Sequence, residues 1–258
     1  MKYEEILYEI KDNIAKIILN CPEKRNRLSM KALAEIIDAL EKARDDEQVR
    51  VIIITGAGKV FCAGADIAAF RGNTTVGYRK QYDAYAKLCT IFNTLGKPSI
   101  AAVNGPALAG GLGLAIYPDI SIASESAKFG TPEINVGVWS MMVSASLYRA
   151  VGRKKALELM FTGDMIDAHE AQSIGLVNKV VPTEKLGEAV MELANKLKSK
   201  SPAILKLGRD AFYHMQDLEF SKAVEYLRDM VALLLSTEDS QEGVTAFLEK
   251  REPVWKGR

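Results

Sequence analysis

The chain has 258 residues, 48% hydrophobic and 26% charged, enough apolar material for a sizeable core and too much for a disordered polymer. Its 34 Lys and Arg against 33 Asp and Glu leave a formal net charge of +1, which excludes the overall positive field that draws a protein to nucleic acid. No apolar run reaches the length of a membrane span and the acidic start MKYEEILYEI has no apolar h-region, so neither a membrane partner nor export is expected.

In chain order, residues 14–19 (IAKIIL) predict a strand after the turn residues Asp12 and Asn13, stopped by Pro22. A basic loop with Lys24, Arg25 and Arg27 leads to Ser29, an N-cap for a helix whose Leu33, Ile36, Ile37 and Leu40 share one face. The β-branched run VIIIT (51–55) predicts a strand buried on both faces, ending in Gly56-Ala57-Gly58. FCAGADI (61–67) adds a second small-residue turn, followed by an expected loop over 72–77 and a helix over 78–95. Strands are expected at 99–103, 120–123 and 176–181, and helices at 112–116, 144–151 and 153–161, the last two separated by Gly152. From Glu184 to about Glu249 the pattern is helical, and MVALLL (230–235) is more apolar than one helix face needs, as for packing on another subunit. Alternating strands and helices define an α/β fold.

The stretch 99–137 carries the strongest chemical signal. Gly105, Gly110, Gly111 and Gly113 leave amides bare where a helix begins, and first-turn amides lack intrahelical partners, so the segment can donate to an oxygen bearing negative charge. Beyond them stands Glu133, the one carboxylate in an apolar segment, where a raised pKa is expected. Competing readings exist for both. A P-loop is excluded, because Gly111 and Leu112 stand where Lys and Ser or Thr are required. A dinucleotide fingerprint at Gly111-x-Gly113 has Ile116 at its third small position, a partial match that leaves a nicotinamide oxidoreductase open. The glycines also suit close strand-to-helix packing, and Glu133 also suits the first turn of a helix after Pro132. His169 and His214 lack metal-like partners, Asp66 and Asp119 read as local backbone caps, and Cys21, Cys62 and Cys89, odd in number and without metal-ligand spacing, read as plain thiols of a cytoplasmic protein. Lys24, Arg25, Lys59, Lys250, Arg251 and Lys256 are candidates to meet phosphates.

FCAGADI, AVNGPALAGGLGLA, FGTPEINVG, LMFTGDMIDAHEAQSIG and the terminal FLEKREPVW together resemble, in order and spacing, the crotonase superfamily of enoyl-CoA hydratases and isomerases. The resemblance implies a crotonase-like spiral of ββα units over residues 1–198 and a helical C-terminal trimerisation region over 199–258, assembled as a homotrimer or homohexamer. It implies an acyl-CoA thioester substrate, no metal and no cofactor beyond the CoA that arrives with it. The amides of Ala65 and Gly110 would hold the thioester oxygen as it becomes an enolate, and Glu133 would exchange the proton at Cα, with Ala63, Asp66, Ile67 and Gly111 as substrate contacts. The first of the two glutamates typical of family hydratases is replaced by Gly113. That departure leaves hydration, the lead reading, without the usual group for handling water, and keeps a single-glutamate double-bond isomerase as the alternative. A catalytically silent acyl-CoA binder is the reading of another class. The Pro-Gly frequent in the family after the PE turn is Ser140-Met141 here, and Met141 stands where dienoyl-CoA isomerases and aryl-CoA dehalogenases of the superfamily carry a catalytic aspartate. Trp139, Met141 and Met142 suggest an apolar wall near the acyl chain, and Tyr82 or Tyr85 is a candidate to position a water.

Overall fold

Strand formation begins where Asp12 and Asn13 both take positive φ (50° and 63°), the backbone that a tight two-residue hairpin requires. They join β1 (Ile6–Lys11) to β2 (Ile14–Leu19) in an antiparallel pair. The first strand was not legible in the sequence: it lies at the sheet edge, where Leu7 and Ile10 stay exposed and no clean apolar alternation is needed. The computed structural model describes residues 3–67 and 71–258.

Ser29 opens α1 (Met30–Asp45) by accepting from the Ala32 amide at 3.0 Å, and the helix buries Leu33, Ile36, Ile37 and Leu40. Then follow β3 (Val51–Gly56), α2 (Thr75–Ile91), β4 (Ser99–Val103), β5 (Ala107–Leu108), α3 (Gly110–Ile116), β6 (Ile120–Ser124), β7 (Lys128–Gly130) and α4 (Met141–Thr162). The chain continues through β8 (Met165–Asp167), α5 (Ala168–Ser173), β9 (Lys179–Val181), α6 (Leu186–Lys198), α7 (Pro202–Met215), α8 (Phe220–Leu235) and α9 (Glu238–Glu249). The large sheet has the order β1-β2-β3-β4-β6-β9, parallel from β2 onward, and a small sheet has the order β5-β7-β8. Each turn of the chain adds one strand to each sheet and then a helix: β4, β5, α3, then β6, β7, α4. An earlier turn runs β3, Cys62 bridged to Ala107, then α2. This is the expected spiral of ββα units.

Several boundaries differ from the sequence reading. The second half of the loop expected over 72–77 is helix, because the Thr74 hydroxyl accepts from the Gly77 amide and starts α2 at Thr75; the far end of the helix tightens into a 3₁₀ turn, Phe92–Thr94. The third helix starts at Gly110 rather than 112, and β9 is confined to three residues, with Leu176 and Val177 buried in an irregular approach. Gly152 does interrupt α4, at φ 75° and ψ 167°.

The helices after residue 198 are tied to the spiral through Asp119. Its carboxylate accepts from the Ser99 amide (2.8 Å) and hydroxyl (2.9 Å), from Arg209 Nε (3.0 Å) and from the Tyr213 hydroxyl (2.6 Å). Asp119 is therefore no local cap but a joint between β4 and α7. Further out, Phe220, Phe247 and Leu248 are 80%, 82% and 74% exposed, a broad apolar surface across α8 and α9.

Candidate active site

Two loops that would separately be ordinary turns are pressed together at the ends of β3 and β4. The FCAG loop is held by the Phe61 and Cys62 amides on the Pro106 carbonyl (both 3.1 Å) and by the Ala63 amide on Arg25 (3.0 Å). Gly64 takes φ +88°, and a Cβ built there would lie 2.5 Å from the Ala109 methyl and 3.0 Å from the Gly110 nitrogen, so only glycine permits this approach. On the other side Ala109 sits at φ 57° and ψ −128°, a conformation that costs an L residue about 1–3 kcal/mol. The Leu108 amide on Cys62 and the Ala109 amide on Gly130 (both 2.9 Å) hold it there. The strained residue turns the chain so that Gly110 opens α3. Among the described residues neither the Ala65 nor the Gly110 amide has a protein acceptor.

Both residues line a cavity of about 710 Å³, within the size range of sites for small molecules and cofactors. Glu133 reaches it from a 3₁₀ turn, Pro132–Val136, started by the proline. Its Oε2 is buried with no hydrogen-bond partner. Burial raises the Glu133 pKa above the usual carboxylate range, an effect partly offset by the Ser140 hydroxyl and the residue's own amide. A desolvated carboxylate of raised pKa in the cavity wall is suited to take and return a proton.

Of the sequence-derived candidates, Ala63, Ala65, Ile67, Gly110, Glu133, Trp139 and Met141 all line this cavity, with Ile67 and Met141 at its exposed rim (62% and 69%). Two do not. Asp66 pairs with Arg27 at 2.7 Å, and Gly111 is packed so closely that a Cβ would collide with the Cys62 carbonyl. Gly113 is also shielded: a Cβ there would lie 2.5 Å from the Tyr117 hydroxyl. Tyr117, one turn later, leans back over the glycine as helical side chains do. Its hydroxyl meets Cys89 Sγ at 3.0 Å and the Met142 carbonyl at 3.5 Å. Neither glycine of Gly111-x-Gly113 offers open backbone to a pyrophosphate, so the dinucleotide reading fails.

The remaining walls are apolar and aromatic. Trp139 donates Nε1 to Ser144 (3.2 Å) and meets Phe161 edge-on at 5.5 Å, while Met142 and Val143 close the wall behind it. Tyr82 and Tyr85 stack at 5.1 Å, and the Tyr85 hydroxyl donates to the Leu28 carbonyl at 3.0 Å. Sequence reasoning missed the strain at Ala109, since alanine carries no signal of positive φ, and the Ser140 contact, which exists only because the Pro132 turn folds back. A glycine four residues before a large aromatic was the available signal for Tyr117. Of the candidate phosphate-binding cations, Arg251 is bound to Glu242 (2.6 Å) and Glu249 (2.7 Å), and Lys256 to Glu238 (3.0 Å).

The profile of the enoyl-CoA hydratase/isomerase family matches residues 9–258. The chain belongs to this family. It is 40% identical over 255 residues to a crotonyl-CoA hydratase of Syntrophomonas wolfei, covering 98% of each chain. It is 37% identical to the human mitochondrial enoyl-CoA hydratase domain-containing protein 3, covering 95% of this chain and 81% of that one. Among solved structures, an enoyl-CoA hydratase of Mycobacterium smegmatis superposes with a TM-score of 0.95 at 31% identity, covering 98% of this chain and 99% of the other. The crotonase fold and membership of an enzyme family acting on enoyl-CoA thioesters are thereby shown, and the relatives' names favour a hydratase over a double-bond isomerase.

Proposed function

We propose that the chain adds water across the Cα=Cβ bond of an enoyl-CoA thioester. The observation that carries this reading is the meeting, in one cavity, of two backbone amides without protein acceptors among the described residues, Ala65 and Gly110, with the desolvated carboxylate of Glu133. As the water oxygen bonds to Cβ, the π electrons move through Cα to the thioester oxygen, where the two amides stabilise the enolate; one such donor is worth about 3 kcal/mol in a transition state. Glu133 takes a proton from the attacking water and returns it to Cα as the carbonyl re-forms. The thioester carbonyl is the electron sink, so the reading needs no metal or redox cofactor beyond the CoA of the substrate. Trp139, Met142 and Val143 would face the acyl chain, with Ile67 and Met141 at the entrance.

The same proposal includes a homotrimer or homohexamer, supported by the apolar surface with Phe220 on α8 and Phe247 and Leu248 on α9. It also includes a cytoplasmic location, supported by three free cysteines. The test is mass analysis of purified protein with crotonyl-CoA and a 3-enoyl-CoA. A product heavier by one water establishes hydration. Unchanged mass with a migrated double bond makes Glu133 a single-base isomerase, and CoA affinity without turnover makes the protein a binder.

A further inference from the structure

Hydration requires a group that holds the water while Glu133 takes its proton, and the cavity's polar side chains leave few choices. They are Tyr82, Tyr85, Glu133, Trp139 and Ser140. Tyr85 gives its hydroxyl to the Leu28 carbonyl, and Trp139 gives its ring N–H to Ser144. Ser140 is nearly buried and engaged with Glu133. The Tyr117 hydroxyl lies outside the cavity lining and is committed to Cys89 and the Met142 carbonyl. Among these lining side chains Tyr82 alone carries a hydroxyl with no protein partner among the described residues. Its ring is fixed by the stack on Tyr85, whose own hydroxyl is tethered to a carbonyl in the loop before α1.

On the hydratase reading above, we propose that Tyr82 is the positioning residue for the attacking water. The water donates one hydrogen to the Glu133 carboxylate and the other to the Tyr82 oxygen, which leaves a lone pair for Cβ. The water O–H facing Glu133 breaks as the O–Cβ bond forms, the electron pair of the double bond passes to the thioester oxygen, and the proton on Glu133 then bonds to Cα. Tyr82 neither gains nor loses a proton. Burial and the nearby negative charge of Glu133 both hold its pKa above that of a free phenol, so it remains neutral while it does this.

Tyr82→Phe removes the oxygen and keeps the ring and its stack. The test compares the parent and this variant in two reactions: hydration of crotonyl-CoA, and exchange of the Cα hydrogen of butyryl-CoA in D₂O, which uses the enolate site but no attacking water. The expected result is a kcat for hydration lower by about 100-fold, the scale of a misplaced reactant, with KM and Cα exchange little changed and an unaltered melting temperature. Hydration by Tyr82→Phe at the parent rate overturns the proposal and leaves the hydratase reading intact. Loss of hydration and exchange together also overturns it, because Tyr82 would then be shaping the enolate site. A parent protein that exchanges Cα but hydrates nothing overturns the hydratase reading and this proposal with it.

Discussion

Two carboxylates close together in the chain, Asp119 and Glu133, occupy opposite environments. Both oxygens of Asp119 are used, by Ser99, Arg209 and Tyr213. Glu133 has one oxygen buried without a partner and a pKa raised by burial. The saturated carboxylate joins two parts of the fold and has no capacity left for a ligand. The unsaturated one weakens the fold slightly and keeps a lone pair for a proton. Hydrogen-bond satisfaction, rather than burial, separates the structural acid from the chemical one.

The strongest way to break the comparison is Glu133→Gln. Without the proton carrier, turnover should fall by about 1,000-fold, read as product formed from crotonyl-CoA, while binding of the thioester persists. Stability should move the other way. Because burial raises the folded-state pKa, the penalty for the buried charge is absent below the pKa of an unfolded glutamate and grows as pH rises through the folded value. Thermal melts should therefore show Glu133→Gln more stable than the parent at neutral pH and equal to it in acid. The same shift predicts that the parent's rate falls on acidification at a higher pH than for an ordinary glutamate. A variant destabilised at neutral pH would show that Glu133 is structural after all.

Asp119→Ala tests the other half. It leaves Arg209, whose side chain is 8% exposed, without its counter-charge, and breaking such a pair costs about 3–5 kcal/mol. Urea unfolding at neutral pH should show this loss, with activity per folded molecule preserved. A loss of turnover without a loss of stability would make Asp119 part of the chemistry.

The adjacent glycines sharpen the contrast on a smaller scale. At Gly111 an added methyl meets the Cys62 backbone, which cannot give way, so Gly111→Ala should destabilise by about 3 kcal/mol. At Gly110 the methyl meets the movable end of Leu28 at 3.2 Å, touches the Tyr85 ring at an ordinary 3.7 Å, and lies 3.8 Å from the Ala65 nitrogen. Gly110→Ala should fold normally yet lose about 100-fold in kcat by crowding the enolate donors. Paired melting and rate measurements distinguish the two; equal effects on stability would remove the distinction.

The sequence by itself determined the elements whose cause is local: the β-branched runs that became β3 and β4, the amphipathic α1 behind Ser29, the break at Gly152, and the motifs that identify the family. It also marked Gly110 and Glu133, because glycine turns and a carboxylate in apolar surroundings are visible within a few residues, whereas Ala65 was marked only through the family resemblance of FCAGADI. Tertiary structure alone decided that Asp119 is saturated, that Tyr117 fills the space over Gly113, that Ala109 is strained and that the Tyr82 hydroxyl has no protein partner among the described residues. The partners of Asp119 stand 20 to 94 positions away, and the Leu28 carbonyl that occupies Tyr85 stands 57 positions away. Periodicity and turn chemistry are properties of neighbours in sequence. Desolvation and hydrogen-bond satisfaction belong to neighbours in space, and they decide which polar groups remain available for chemistry.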